Sequence, residues 1–247
     1  MKRTLRILLS LLAAAPAAAA PLKVLAYPTP PFFYLEAGKP AGLEYDILEY
    51  YAKATGRTLQ VAWTDQFDSI VDAVVDGQAD VAAATLTITP ERLQRVSFST
   101  PYFPVRVMLV EPRGQNTTAL SQLSGATLAT IKATTYEEIL SAVPRAQMIY
   151  GVEERDLFDL VVSGKARAAA ADSAVALTLL PRYPQLRMGM ALSAEQGFGF
   201  AVRQGSPLAA DLSKHLQQLK ASQIYFRLLE KHLGAEAAKL VAAGRDR

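Results

Sequence analysis

One pattern occurs twice in this 247-residue chain and restricts the folds open to it. Phe67-Asp-Ser-Ile-Val-Asp-Ala-Val-Val-Asp-Gly77, followed by Gln78–Ala84, has a counterpart in Asp156-Leu-Phe-Asp-Leu-Val-Val-Ser-Gly164, followed by Lys165–Ala171. Each copy reads as an amphipathic helix, a glycine stop and a strand of small apolar residues. Upstream of the first copy lie a strand at Lys23–Ala26, a helix near Tyr45–Thr55 and a strand at Leu59–Trp63; upstream of the second lie Thr127–Ile131, a helix near Thr135–Val143 and Gln147–Tyr150. The order β-α-β-α-β, written twice, predicts an α/β protein of two lobes, each a mostly parallel sheet flanked by helices. Pro101–Glu111 takes the chain out of the first lobe and Ser193–Arg203 returns it, which assigns 22–104 plus 195–247 to one discontinuous lobe and 105–194 to the other. Beyond Pro207 the spacing of Leu212, Leu216, Leu219, Tyr225, Leu228, Leu229 and Leu233 predicts helices. Two crossings make a hinge. Ligands of such sheets bind outside the carboxyl ends of the strands, so the expected site is the cleft between the lobes.

The ends and the charge narrow the function. Residues 1–19 read as a cleavable secretory signal, with Lys2, Arg3 and Arg6 ahead of the apolar run Ile7–Ala15 and the small residues Ala17-Ala18-Ala19 at the cut. That run is short for a membrane span. The chain has no cysteine, which removes a lipidated N-terminal cysteine, disulfides and thiolate metal sites. Three of the 26 basic residues fall in the leader, leaving 23 against 23 acidic ones, so no excess of positive charge argues for nucleic acid. The two histidines, His215 and His232, sit in the late helical region away from any ligand cluster, and no Gly-x-Ser-x-Gly or phosphate loop occurs. Neither a metal nor a cofactor is expected.

Three segments bring polar groups to strand ends. After the small-residue strand Ala79–Leu86, Thr85, Thr87 and Thr89 share one face, Pro90-Glu91 opens a helix, and Arg92 falls in its first turn. Hydroxyls, turn amides and a guanidinium suit a carboxylate, because a planar fork of donors engages both oxygens; the plainer reading is a surface arginine paired with Glu91. In Lys132-Ala-Thr-Thr-Tyr-Glu-Glu138, Thr134 and Thr135 precede a helix, with Glu138 three residues after Thr135 as in a capping box. The free amides there also attract anions. Asp172 ends the second small-residue strand, either as N-cap of an Ala174–Leu180 helix or as a cleft acid. Phe67 stands at a helix start, Trp63 reads as core, and Glu44 and Asp46 read as helix-start acids.

The stretch from Ala79 through Arg92 to Val96-Ser-Phe-Ser-Thr-Pro-Tyr102 resembles the signature of the bacterial extracellular solute-binding proteins of family 3, the amino-acid-binding proteins of ABC importers. With matches elsewhere the resemblance spans Leu22 to Gly234. It implies the type II periplasmic-binding fold, a hinged clamp around one small solute. It also implies roles: Arg92, with Thr85 and Thr87, for the ligand's α-carboxylate; Thr134 and Thr135 in a Gly-Thr-Thr element where Ala133 replaces the glycine; Asp172 for the α-amino group; Phe67 for the side chain. Thr85 stands where glycine or serine is common. The Pro28–Tyr34 loop resembles the family's Pro-Phe loop with Thr29 at an often aromatic place, leaving Tyr27, Phe32 or Tyr34 to supply a wall. The family role implies a periplasmic monomer, not an enzyme, that hands an amino-acid-like ligand to an ABC permease. Two alternatives stand beside it. Ala171-Asp-Ser-Ala-Val through Tyr183-Pro-Gln-Leu186 to Leu233-Gly234 resembles the solute-binding module of membrane-bound lytic transglycosylases, which implies a sensor of cell-wall peptides. A cyclohexadienyl-type dehydratase on the same fold would need a cleft acid, for which Asp172, Glu195 and Glu138 are candidates.

Overall fold

The computed structural model describes residues 19–243, with side-chain surroundings through residue 235. The expected leader lies outside the described residues except for its last position. From Leu22 the chain forms β1 (Leu22–Ala26), a hairpin of β2 (Tyr34–Glu36) and β3 (Lys39–Ala41), α1 (Leu43–Ala54), β4 (Leu59–Trp63), α2 (Ile70–Val75), β5 (Val81–Ala83), the single turn α3 (Pro90–Leu93) and β6 (Val96–Phe98). It then crosses through β7 (Phe103–Val105) into β8 (Val107–Pro112), β9 (Thr127–Ile131), α4 (Thr135–Ser141), β10 (Gln147–Gly151), α5 (Glu154–Val162), β11 (Ala168–Asp172), α6 (Ser173–Leu179) and β12 (Leu186–Ala191). β13 (Gln196–Phe198) leads back to β14 (Ala201–Arg203), α7 (Leu208–Lys220) and α8 (Gln223–Ala243), the last interrupted at Gly234, whose φ is 83°.

Two five-stranded sheets result, ordered β4-β1-β5-β14-β6 and β10-β9-β11-β8-β12. Each has the same plan. β1 lies parallel between β4 and β5, and β9 lies parallel between β10 and β11. The fourth strand of each sheet runs antiparallel to both its neighbours, and in both lobes it is the segment that has just crossed: β14 after the return, β8 after the exit. The crossings themselves pair as β7 and β13, with Gln196 opposite Val105 and Phe198 opposite Phe103. The inner strands carry small residues because helices cover both sheet faces: Val81–Ala84 and Ala168–Ala171 are fully buried.

Local chemistry fixes how the strands end at the cleft. Gly42 (φ 118°) starts α1 beneath the Pro31-Phe32 backbone, where a Cβ would stand 2.2 Å from the Phe32 carbonyl oxygen, so only glycine allows the approach. The N–H groups of Leu43 and Glu44 then donate to the Pro31 and Phe32 carbonyls at 3.1 and 2.8 Å. That seating drives the Glu44 side chain inward. Trp63 packs edge-on against Phe33, 5.3 Å between centroids.

Candidate functional site

The strand-end residues of lobe 1 are built on a buried acid. Thr85 follows β5 with φ of 48°, a left-handed backbone that a β-branched residue adopts only under constraint. The constraint is Glu44, fully buried, whose Oε1 accepts the Thr85 N–H at 3.1 Å and the Tyr102 hydroxyl at 2.6 Å. Burial lifts the Glu44 carboxyl to about 7, with the bonds from Tyr102 and from the Thr85 and Ala84 backbone pulling it back. Glu44 is therefore the underpinning of the strand end, where sequence alone read a helix-start acid. Asp46 faces the other way, 2.7 Å from both Lys231 Nζ and His232 Nε2 of α8.

Thr89 caps α3, its hydroxyl accepting the Arg92 N–H at 3.2 Å, with Pro90 at the first helical position. The cap turns the Arg92 side chain into the cleft. Its Nη1 donates to the Thr87 carbonyl at 2.9 Å, and the guanidinium lies 5.6 Å from the centre of the Phe67 ring. Phe67 in turn meets Tyr27 edge-on at 5.3 Å. Burial is the largest influence on Arg92 and disfavours its charge, and Asp172 on the opposite lobe is the foremost group restoring it.

On lobe 2 the cap of α4 falls one residue earlier than the spacing suggested. Thr134, not Thr135, is the N-cap; its hydroxyl accepts the Glu137 N–H at 3.4 Å, while the Glu137 carboxylate accepts the N–H of Ala133, the residue before the cap, at 2.6 Å, so the cap holds without the reciprocal bond of a capping box. The shift frees Thr135, buried and turned toward the cleft. Ala133 keeps the left-handed turn (φ 59°) that the missing glycine would favour. Asp172 precedes α6 at the N-cap position but makes no side-chain cap bond. Its Oδ2 accepts from the Tyr136 hydroxyl at 2.7 Å, and its Oδ1 is buried without a protein partner. Burial raises the Asp172 carboxyl to about 8, the Tyr136 bond lowers it, Glu154 raises it and Arg92 lowers it. Glu154, at the start of α5, is raised by burial as well and lies 3.1 Å from the same hydroxyl.

These groups enclose one cavity of about 20 Å³, lined from lobe 1 by Tyr27, Thr29, Phe67, Thr85, Thr87 and Arg92 and from lobe 2 by Ile131, Thr134, Thr135, Tyr136, Glu154 and Asp172. A second chamber of about 320 Å³ adjoins it past Arg92, sharing Phe67, Thr134 and Thr135 and reaching Glu91, Arg95 and Glu138. The lobes touch across the cleft: the Tyr27 hydroxyl donates to the Val152 carbonyl, and Lys132 Nζ stands 3.9 Å from Asp68. Of the residues expected at the site, Phe32 is the exception. Its ring is buried inside lobe 1 against Phe103 and Phe198 at 5.7 and 5.5 Å, because the loop folds back on Thr29, whose carbonyl accepts from Phe32 and Phe33. Thr29 lines the cavity instead. Tyr136 and Glu154 escaped the sequence reading: one follows the paired threonines directly, the other looks like any acid opening a helix. Among the described residues no cluster of His, Asp or Glu is arranged to hold a metal, and no helix is long and apolar enough to cross a membrane.

Two α/β lobes on a double crossing, shut over a polar cavity with an arginine on one side and an aspartate on the other, make the architecture of a solute-binding protein. The chain belongs to the bacterial extracellular solute-binding proteins, family 3, whose model matches residues 22–235. It is similar to the amino-acid-binding protein AabA of Dichelobacter nodosus, 26% identical over 75% of this chain and 76% of that one. It is also similar to membrane-bound lytic murein transglycosylase F of Maricaulis maris, 34% identical over 67% of this chain but 38% of the relative. The chain thus spans well under half of that protein's length. Among solved structures it superposes on an ancestral arginine-binding protein bound to arginine, with a TM-score of 0.80 and 28% identity over 88% of this chain and all of that one. An ancestral amino acid-binding protein described as a precursor of cyclohexadienyl dehydratase gives 0.79 and 27% over 86% and 95%.

Proposed function

We propose that the protein is a periplasmic binding protein that captures a small amino-acid-like zwitterion between lobes bounded at 22–104 with 195–247 and at 105–194, and delivers it to an ABC permease as a non-enzymatic monomer. The observation that carries this reading is the placement of Arg92 and Asp172 on opposite lobes of one closed cavity. A carboxylate held by the Arg92 fork and an ammonium held by Asp172 join the lobes, so the ligand favours closure through contacts that exist only in the closed state. Thr85, Thr87, Thr134 and Thr135 supply hydroxyls around the carboxylate, and Phe67 and Tyr27 the apolar wall.

Calorimetry tests it. An amino acid should bind far better than its deaminated analogue, and Asp172→Asn should remove most of that difference, because asparagine keeps the shape without the charge. Equal loss for both ligands, or none, takes away the amine anchor.

A sensor role is the second reading, supported by the outer chamber past Arg92, which gives room for a ligand longer than one amino acid, and by the transglycosylase relatives. Preferential stabilisation by short cell-wall peptides would favour it. For a dehydratase, Asp172 is the one of the three candidate acids that lines the inner cavity, whereas Glu138 lines the outer chamber and Glu195 is exposed and 3.5 Å from Arg106. Turnover of prephenate abolished by Asp172→Asn would replace the binding reading.

A further inference from the structure

The Tyr136 hydroxyl has more partners than its single proton can serve. Its oxygen accepts the Asp172 N–H at 3.1 Å and lies 2.7 Å from Asp172 Oδ2 and 3.1 Å from Glu154 Oε1. A phenol donates once, and an ionised carboxylate only accepts. Both oxygen contacts close together only when one of the two carboxyls is protonated, so the Asp172–Tyr136–Glu154 cluster carries an acid proton in addition to the phenol's own. The surroundings account for it. All three side chains are buried. The other ionisable groups facing Glu154 are Glu153 and Asp156 on its own turn and Tyr27 from lobe 1, and none of them is a cation. Arg92 is the base that acts on the cluster, through Asp172. With both acids ionised, the groups lining the cavity would carry two negative charges against the one guanidinium, and the unpartnered Asp172 Oδ1 belongs to that same wall.

A proton sits where a second positive charge is wanted. We infer that Glu154 is a specificity-determining residue and that the site takes a short diamino acid, whose second ammonium displaces the proton held between Glu154 and Tyr136. This rests on the amino-acid reading above and goes beyond it by naming the ligand's side-chain chemistry. A neutral amino acid leaves the proton in place, with Asp172 ionised for the α-ammonium and Glu154 neutral. A second ammonium sends the proton to solvent and pairs with the Glu154 carboxylate.

The test compares L-ornithine with L-norvaline, which has the same carbon chain without the terminal amine, by calorimetry on the whole protein in two buffers of different protonation enthalpy. Ornithine should bind about tenfold tighter or more, with release of about one proton per ligand that norvaline does not cause. Glu154→Gln should bring the two affinities together and abolish the release, while the unfolding temperature of the unliganded variant shows that the fold is intact. Norvaline binding as tightly as ornithine, or an equal loss of both in Glu154→Gln with proton release unchanged, overturns the assignment and leaves the amino-acid reading standing. Binding of neither ligand, nor of any other amino acid, removes both.

Discussion

Arg92 owes its position to a cap. Thr89 holds the first turn of α3, and the side chain leaving that turn has the Thr87 carbonyl and the Phe67 ring as its seat. Arg92→Ala should weaken a carboxylate ligand by about 2–5 kcal/mol, since it strips the partner from a charge buried in the closed cleft. Arg92→Lys should recover part, an ammonium lacking the planar fork. Calorimetry reads both, and unchanged affinity in both means that Arg92 supports the cleft wall and does not hold the ligand. Asp172 carries a pH signature. Its carboxyl is 3.8 in an unfolded chain and about 8 in the fold, so the folded state binds the proton more tightly. The contribution of Asp172 to the stability of the unliganded protein is then fully present at acid pH and is lost as pH rises from about 4 to about 8. Asp172→Asn has no charge to bury: it should match the wild type in acid and exceed it above about pH 8 by on the order of a few kcal/mol. Denaturant titrations of both proteins across that range decide it, and a difference between them that does not change with pH means that Asp172 ionises freely.

At the scale of elements, the site depends on where α4 begins. Sequence spacing pointed to a capping box of Thr135 with Glu138. The structure begins the helix one residue earlier, at a Thr134 cap, with Ala133 in the left-handed region aiming its N–H at Glu137. That turn is conformationally costly for any residue with a Cβ. Ala133→Gly should therefore stabilise the protein by about 0.5–1 kcal/mol, the relief of left-handed strain exceeding the entropy lost by glycine. A higher unfolding temperature with unchanged ligand affinity is the expected result; a lower one would mean that the turn is not strained. Thr85 is the parallel case on lobe 1, but there the strained residue is braced by Glu44 from beneath, so its backbone and the buried acid form one unit.

At the scale of the molecule, closure is the variable. The Tyr27 hydroxyl reaches from lobe 1 to the Val152 carbonyl of lobe 2. Tyr27→Phe removes that bond and keeps the ring against Phe67. A hydrogen bond of this kind is worth about 0.5–1.5 kcal/mol, so ligand affinity should fall by about 3- to 10-fold, chiefly as faster dissociation in stopped-flow measurements. Identical dissociation rates would remove Tyr27 from the closing interaction. The sequence by itself determined the duplicated β-α-β-α-β plan, the mostly parallel sheets, and the placement of an arginine, threonines and an aspartate near strand ends, because period, glycine stops and small-residue strands act over a few neighbouring residues. Only the tertiary structure decided that Phe32 packs inward while Thr29 faces the cleft, that Glu44 supports Thr85 across 41 positions of chain, and that Tyr136 gathers Asp172 and Glu154 from two other elements. Those outcomes follow from burial and hydrogen bonding between segments distant in sequence, and an acid at a helix start carries no local mark of the side chain it will meet once the sheets have formed.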